Sequence, residues 1–243
     1  AYEIVSRDWS SDVCSSDLNP QSTILDLKMS EAQALVTVWL HVAPEREEEF
    51  NAWYNTEHIN QMIGLPGVVG ARRYVCEEQK PKYLAWYDVA DEHFEPGPAF
   101  QEIVANPTPW SRRIRKHYGD DRERMNLKLM RDVGEKPATD TPWLYIVHTD
   151  IPDHIVDEYN EWYDNEHLPR LVTVPGVVRA RRYAAVAGNP KYLTAYELTD
   201  KDAFESPEGL KARKTPWTAK MRSLFQNTRR SMCKLILPTQ RKS

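Results

Sequence analysis

The sequence predicts an α+β fold made of two copies of one β-α-β-β-α-β unit, and three observations support this. Residues 53–74 (WYNTEHINQMIGLPGVVGARRY) recur at 162–183 (WYDNEHLPRLVTVPGVVRARRY), 109 positions later, with 12 of 22 positions identical and no gap. Such self-similarity marks a duplicated structural unit. The 243 residues are enough for two units of about 100 residues, each able to bury a core. Strand-like and helix-like segments also follow one another in the same order in both copies.

Composition bounds the possible partners and the compartment. With 28% charged residues and a net charge of −4, the chain offers no basic surface for nucleic acid. No apolar run approaches the roughly 20 residues that a membrane-spanning helix needs, so no membrane partner is expected. Cys14, Cys76 and Cys233 are scattered and form no CxxC pair. This pattern predicts a reducing, cytoplasmic location and no disulfide framework.

Residues 1–31 are not expected to belong to the fold. Residues 8–18 (DWSSDVCSSDL) resemble the in-frame translation of a sequencing-library adapter, as in a gene assembled from metagenomic reads, and Met29 begins a natural-looking start. The alternative is a genuine polar, disordered leader. In either case the segment is excluded from fold prediction and Cys14 is given no functional role.

The first strand of each copy is predicted at residues 34–42 and 143–151, which are apolar and rich in β-branched side chains. Because successive strand residues point to opposite faces, one face suits a core covered by helices. That face carries Val36, Val38, Leu40 and Val42. The other face is mixed, as expected for the lining of a cavity or an interface. It carries Thr37, Trp39 and His41 in the first copy and Ile146, His148 and Asp150 in the second.

A helix containing a Glu-His pair is predicted to follow each first strand. Pro44 begins the first of these helices, and glutamates in its first turns interact favourably with the helix dipole. At about 100° per residue, Glu57 and Glu166 fall near the middle of the apolar stripe, and His58 and His167 lie at its edge. A carboxylate in the middle of a buried face requires a partner.

The remaining elements are predicted in the same order in both copies. Pro-Gly turns at 66–67 and 175–176 precede strand pairs at 68–75 with 83–89 and 177–184 with 192–198, then short helices at 98–105 and 208–213, Thr-Pro-Trp helix starts at 108–110 and 215–217, and last strands at 125–130 and 232–237. The predicted repeats cover residues 32–130 and 143–238. A linker at 131–142 joins them and a tail follows at 239–243.

Each copy therefore has the ferredoxin-like order, with a four-stranded antiparallel sheet and helices on one face. Packing the two open faces together within one chain predicts an intrachain α+β barrel. The repeated WYxxEH, PGVV and RRY motifs resemble those of the EthD-like and related dimeric α+β barrel families, over residues 33–238. In those families separate subunits usually form the barrel, so the resemblance implies a tandem fusion. It does not imply one activity, because these families include cofactor-free monooxygenases, polyketide cyclases, muconolactone isomerases and haem-dependent enzymes.

His58 and His167 are the candidate catalytic residues. A histidine titrates near neutral pH, so an imidazole at the edge of a pocket can transfer protons. The alternative is that each histidine only positions its helix by a hydrogen bond to the neighbouring strand.

Glu57 and Glu166 are predicted to be structural. An Arg-Arg pair lies on the strand after each of these helices: Arg72-Arg73 and Arg181-Arg182. One arginine of each pair is expected to form a buried ion pair with the helix glutamate. The other is expected to enter the barrel and to bind an anionic or carbonyl-bearing ligand.

Aromatic and polar strand residues are the predicted lining of a pocket for a small hydrophobic or aromatic ligand. The candidates, besides the four arginines, are Tyr74, Tyr87, Tyr183, Tyr196, Trp39, His41 and His148. Trp39 and Trp86 are replaced by His148 and Ala195 in the second copy, so the two pockets are expected to differ in size. No metal site is predicted, because the chain has neither HExxH nor a closely spaced His/Cys cluster. Haem needs only one axial histidine, but no sequence feature indicates it.

These residues favour a cofactor-independent lyase, cyclase or isomerase. It would act on a small aromatic or polyketide-like carbonyl compound by histidine acid–base chemistry. Two alternatives stay open: a cofactor-free monooxygenase of the same barrel class, and a non-catalytic protein that binds a small molecule. We expect the fused barrel to be a monomer or to form a homodimer.

Overall fold

Two β-α-β-β-α-β units follow one another in the computed structural model, which describes residues 32–76, 78–95, 97–117 and 122–241. The first unit comprises β1 (Ala34–Leu40), α1 (Pro44–Arg46, Glu47–Trp53, Tyr54–His58 and Ile59–Ile63 in succession), β2 (Val68–Val75), β3 (Tyr83–Val89), α2 (Gly97–Ala105), α3 (Pro109–Ile114) and β4 (Glu123–Gly134). The second comprises β5 (Trp143–Asp150), α4 (Asp153–Ile155, Val156–Trp162, Tyr163–His167 and Leu168–Leu171), β6 (Val177–Ala187), β7 (Tyr192–Leu198), a 3-10 turn (Ala203–Glu205), α5 (Pro207–Arg213), α6 (Pro216–Ser223) and β8 (Gln226–Gln240). The predicted leader, residues 1–31, lies outside the described residues.

All eight strands pair antiparallel and close into one barrel in the order β1-β3-β2-β8-β5-β7-β6-β4. The four strands of each unit are neighbours, and the pairs β2–β8 and β4–β6 join the units. The predicted fold class, two ferredoxin-like units forming an α+β barrel within one chain, is therefore confirmed. Closure leaves no exposed sheet edge in the barrel.

The strands β4 and β8 extend beyond their predicted ends. Residues 131–134, predicted as linker, continue β4 and pair with β6. In the same way β8 pairs first with β5 and then, through residue 240, with β2. Apolar alternation predicts burial and not pairing. It therefore missed the exposed ends of these strands, whose backbone groups are satisfied by the opposite unit.

The two faces of each half-sheet have different neighbours, as the alternation predicted. Val36 and Leu40 of β1 pack with Phe50 of α1 in a core outside the barrel. Trp39 of β1 lies inside the barrel with Ile146 of β5 and side chains of the other strands. Each unit thus has its own core between helices and sheet, and the two units share a third core within the barrel.

A disulfide joins Cys76, directly after β2, to Cys233 of β8, with the Cα atoms 4.3 Å apart. The prediction of no disulfide framework was wrong. Antiparallel pairing of β2 with β8 brings together two cysteines that are 157 positions apart, and local spacing cannot reveal this. The prediction of a reducing, cytoplasmic location thereby loses the argument on which it rested. Among the helices that the structure describes, none is both long and apolar enough to cross a bilayer.

Candidate functional site

Both Glu-His motifs lie in a short π-helical segment, which is Tyr54–His58 in α1 and the equivalent segment in α4. A π-helix forms i→i+5 hydrogen bonds, so side chains five positions apart lie on nearly the same side. His58 accordingly stacks on Trp53 with ring centroids 4.7 Å apart, and His167 stacks on Trp162 at 4.1 Å. The helical projection at 100° per residue could not show this, because it assumes an uninterrupted α-helix.

Glu57 connects α1 to the start of α3. Its Oε1 accepts hydrogen bonds from Trp53 Nε1 (3.0 Å), Thr108 Oγ1 (2.7 Å) and Ser111 Oγ (2.6 Å). Thr108 also caps α3, since its Oγ1 accepts the backbone N–H of Ser111. Burial alone would raise the pKa of Glu57, but the hydrogen bonds from Ser111, Thr108 and Trp53 outweigh it and lower the pKa.

Glu166 makes the corresponding contacts in the second unit. Its Oε1 accepts hydrogen bonds from Thr215 Oγ1 (2.5 Å) and Thr218 Oγ1 (3.4 Å). In the described part of the chain neither Glu57 nor Glu166 pairs with an arginine, so the predicted Glu–Arg ion pairs were wrong. The hydroxyls of the Thr-Pro-Trp helix starts occupy the glutamate oxygens instead. These contacts attach each glutamate to a helix start, and the structural role of both residues stays a prediction.

The arginines of each Arg-Arg pair do point to opposite faces of their strand. Arg73 lies beneath α1, where Nη2 donates to Asn51 Oδ1 (2.9 Å) and the guanidinium lies 4.1 Å from the ring centroid of Tyr54. Arg182 occupies the same place beneath α4, with Nη2 donating to Asn160 Oδ1 (2.6 Å). These two arginines attach the helices to the half-sheets.

Arg72 and Arg181 lie inside the barrel, where carboxylates surround them. Arg72 contacts Asp140 at 3.0 Å and Asp88 at 3.4 Å. Arg181 contacts Asp88 at 3.3 Å and Glu197 at 2.7 Å. Side chains of both units thus form one buried ion-pair network. Neither arginine lines either of the cavities described next, so the predicted ligand contact is not found.

A cavity of about 470 Å³ lies in the first unit, between the outer face of the half-sheet and its helices. Its apolar wall includes Val36 of β1, Met62 of α1, Phe94 before α2 and Phe100 within α2. His58 is on this wall. The volume lies within the range of about 300–1,000 Å³ that is usual for small-molecule sites.

The polar groups of this cavity are few. Tyr54 and Tyr87 both line it, and their hydroxyl oxygens lie 2.6 Å apart. Three arginines complete the lining: Arg115, Arg122 and Arg124. Arg122 and Arg124 are exposed, which places them at the cavity mouth.

His58 is uncharged at neutral pH. Burial lowers its pKa to about 4. A side-chain hydrogen bond with Gln61 and the charge of Glu57 oppose this shift, and the positive charges of Arg115 and Arg73 act in the same direction as burial. Its Nδ1 is buried and makes no hydrogen bond of good geometry with the described residues, and the Gln61 side chain lies beside the imidazole. A neutral imidazole is able to accept a proton.

The second unit has a much smaller cavity, of about 30 Å³, beside His167. Tyr145 stands where the first unit has Val36, and its ring lies 5.4 Å from Phe204. The connection from Phe204 to Thr215 is also three residues shorter than the corresponding connection from Phe94 to Thr108 in the first unit. The two cavities differ in size, as predicted, but Trp39 and Trp86 line neither of them. Tyr145 and the shorter connection account for the difference instead.

Of the predicted ligand-binding residues, Tyr87 lines the large cavity and Tyr196 lines the small one. Four others lie in the barrel interior or its core, away from both cavities: Trp39, Tyr74, Tyr183 and His148. His41 lines neither cavity. Within the described ranges no group of three or more His, Cys, Asp or Glu could hold a metal ion.

The sequence prediction did not include the arginines that line the two cavities. Arg115 and Arg222 each follow the tryptophan of a Thr-Pro-Trp motif by five positions. Arg124 of β4 pairs with Val38 of β1, and Arg230 of β8 pairs with the equivalent Val147 of β5. The repetition of these arginines in both units could have indicated the cavity lining, but the comparison of the WYxxEH and RRY motifs did not extend to them.

No family model matches the sequence, and no curated protein matches it. Solved structures do resemble it. An anthrone oxidase-like protein has a TM-score of 0.59 at 13% identity, covering 87% of this chain and 94% of that chain. A candidate monooxygenase from Lactobacillus acidophilus has 0.56 at 8%, covering 84% and 94%, and one from Fusobacterium nucleatum has 0.54 at 14%, covering 87% and 99%. At these identities the likeness shows a shared α+β barrel fold.

Proposed function

We propose that the chain is a monooxygenase that oxidises a weakly acidic aromatic compound in the cavity of the first unit, with His58 as the base. One observation carries this proposal: an uncharged histidine, whose Nδ1 makes no hydrogen bond of good geometry with the described residues, lies on the wall of an apolar cavity of about 470 Å³. The closed barrel within one chain supports a monomer as the active species.

The cavity favours a flat and mostly apolar substrate with one polar end. Phe94, Phe100 and Met62 supply apolar contact area, and the polar groups lie in a few places. A polyketide-like compound of about two or three rings, with a carbonyl group beside a methylene, meets these requirements.

The first step is transfer of a proton from the substrate methylene to His58. With a pKa of about 4, His58 is a weak base. The substrate anion therefore needs stabilisation, and Arg115 and Arg124 line the same cavity with fixed positive charge. Preorganised charge at the place where negative charge develops is among the largest contributions to catalysis.

The second step is transfer of electrons from the substrate anion to molecular oxygen. In the net reaction the methylene carbon loses two hydrogens and gains one oxygen atom, and the other oxygen atom leaves as water. The substrate supplies all four electrons that reduce the two oxygen atoms, so no external reductant is needed. The names of the structural neighbours, an anthrone oxidase-like protein and two candidate monooxygenases, favour oxygen as the electron acceptor over an internal rearrangement.

A lyase, cyclase or isomerase is the second candidate, and the tyrosine pair favours it. Tyr54 and Tyr87 line the cavity with hydroxyl oxygens 2.6 Å apart. Such a pair can return a proton to another atom of the substrate after the same first step.

The test is oxygen uptake with anthrone as the probe, together with mass spectrometry of the product formed under ¹⁸O₂. We expect uptake and one labelled oxygen atom in the product, and loss of at least about 100-fold in rate in His58→Gln. His167→Gln is the matched control, because His167 faces the small cavity, and it should keep the rate.

Other outcomes would exclude this proposal in different ways. Conversion of anthrone or related ketones without oxygen uptake favours the isomerase or lyase reaction. Saturable binding without conversion favours a binding protein. An unchanged rate in His58→Gln would remove the assigned role of His58.

A further inference from the structure

The small cavity of the second unit is lined by three arginines and a buried histidine. Arg213 comes from α5, Arg222 from α6 and Arg230 from β8, and His167 from α4 lies beside them. The cavity has a volume of about 30 Å³, so no aromatic molecule fits.

The positive charge of this cluster is only partly balanced by carboxylates. No carboxylate is among its described lining residues. Arg213 forms an ion pair with Glu205 at 3.1 Å and donates to the backbone oxygen of Phe204, and the Glu205 side chain is 71% exposed. Burial lowers the pKa of Arg222, and the neighbouring charge of Arg213 lowers it further. Arg222 and Arg230 are exposed and therefore lie at the mouth of the cavity. Three positively charged groups around a cavity whose described lining has no carboxylate favour the binding of an anion there.

Hydrogen-bond donors are also available there. His167 is only 5% exposed, and its Nδ1 has no partner among the described residues. Burial, with the charges of Arg222 and Arg213, holds its pKa well below the ordinary value. The neutral imidazole still has one N–H to donate. The phenols of Tyr145 and Tyr196 line the cavity and stay protonated, because burial raises the pKa of both.

The two units share the positions of two arginines. Arg222 and Arg230 occupy the positions that Arg115 and Arg124 occupy in the first unit. In the second unit the apolar part of the cavity is filled by Tyr145, but the arginines still meet at the remaining space. The space that remains has room for one small species, and the arginines around it favour an anion.

We propose that this cavity binds a small monovalent inorganic anion, of the size of chloride or nitrate, held by Arg213, Arg222, Arg230 and the N–H of His167. A volume of about 30 Å³ accommodates one ion of this size. The anion neutralises the cluster and stabilises the packing of α5 and α6 on the barrel. This inference does not depend on the proposed oxidation in the first unit.

Thermal unfolding of the full chain tests the proposal at constant ionic strength. Sodium gluconate, whose anion is too large for the cavity, is replaced stepwise by sodium chloride up to about 100 mM. We expect a saturable rise in Tm of about 3 °C in the wild-type chain. Arg222→Gln should lose most of this rise. Arg112→Gln, which removes an exposed arginine of α3 that lines neither cavity, should keep it.

A crystal soaked in bromide gives a second measurement that does not depend on unfolding. We expect an anomalous peak within hydrogen-bond distance of Arg222 and His167. Absence of this peak overturns the proposal, and so does a chloride effect that is equal in Arg222→Gln and in the wild type. Loss of the effect in Arg115→Gln, with Arg222→Gln unchanged, would place the anion in the first unit and would also overturn it.

Discussion

Substitution of Glu57 should separate a structural carboxylate from a catalytic one. In Glu57→Ala the oxygen that accepts hydrogen bonds from Trp53, Thr108 and Ser111 is removed. A hydrogen bond to a charged group contributes about 1.5–3 kcal/mol, and three bonds to one oxygen are not additive, so we expect a loss of about 3 kcal/mol. For a chain of this size that corresponds to a decrease in Tm of roughly 6–12 °C.

Glu57→Gln should be much closer to the wild type. All three hydrogen bonds end on Oε1, and the glutamine side chain keeps an oxygen at that position. We expect a loss below about 1 kcal/mol in urea unfolding followed by circular dichroism. The rate of substrate oxidation should be retained, because Glu57 lines neither cavity. Glu166→Ala, which removes an acceptor of two hydroxyl donors, should be destabilised less than Glu57→Ala.

The pH dependence gives an independent check on Glu57. Its pKa is lower in the folded chain than the ordinary value of 4.5. The stabilisation is therefore complete above the unfolded pKa and is lost as the pH falls through the folded pKa. The difference in stability between the wild type and Glu57→Gln should decrease in acid. Equal destabilisation by Gln and Ala would contradict the hydrogen-bond account, and loss of turnover in a stable Glu57→Gln would show a chemical role.

Three further substitutions test other parts of the structure. Val36→Tyr should fill the cavity as Tyr145 does and weaken binding of aromatic ligands at least about 10-fold in fluorescence titrations; unchanged affinity would show that ligands bind elsewhere. Burial lowers the pKa of His148 to about 3, below its ordinary 6.5. The neutral imidazole therefore contributes its full stability above pH 6.5. As the pH falls from 7 to 4 the unfolded chain takes up a proton that the folded chain does not, which lowers the free energy of unfolding by about 3 kcal/mol. The urea midpoint of His148→Leu should depend less on pH, and an identical pH profile would refute this. Cys233→Ala should cost about 2–4 kcal/mol through loss of its bond to Cys76; a reductant should destabilise the wild type by a similar amount and leave the variant unchanged.

The architecture could be predicted because it depends on patterns that the sequence carries directly. Duplication of residues 53–74 defined the units, and alternation in β1 correctly placed Val36 towards the helices and Trp39 inside the barrel. Barrel closure depends on backbone pairing between distant strands. Residues 131–134 and the Cys76–Cys233 bond belong to those seams, where side-chain pattern gives no information.

The site was harder to predict, because it depends on helix geometry and on packing volume. His58 was identified from the repeat, but its stacking on Trp53 follows from a π-helical segment with no recognised sequence signal. The cavity exists because position 36 is a valine where the second unit has a tyrosine, and such a volume difference has meaning only when the neighbours are known. For the same reason one arginine of the pair Arg72-Arg73 was expected at a glutamate and the other at a ligand, although Arg72 belongs to the barrel network and Arg73 holds α1.

The two units differ in the volume of their cavities, a difference that is possible because both units belong to one chain and need not be identical. A barrel formed by two identical subunits must have the same cavity twice, and the packing lost around each cavity lowers stability twice. In this chain the aromatic cluster of Tyr145, Phe204 and Tyr196 packs the second unit, and the seams β2–β8 and β4–β6 connect that unit to the first. The well-packed unit can therefore stabilise the unit that keeps the cavity. If this is correct, Tyr145→Val should destabilise the whole chain in one cooperative transition. Separate unfolding of the second unit would show that the two units are not coupled through the barrel.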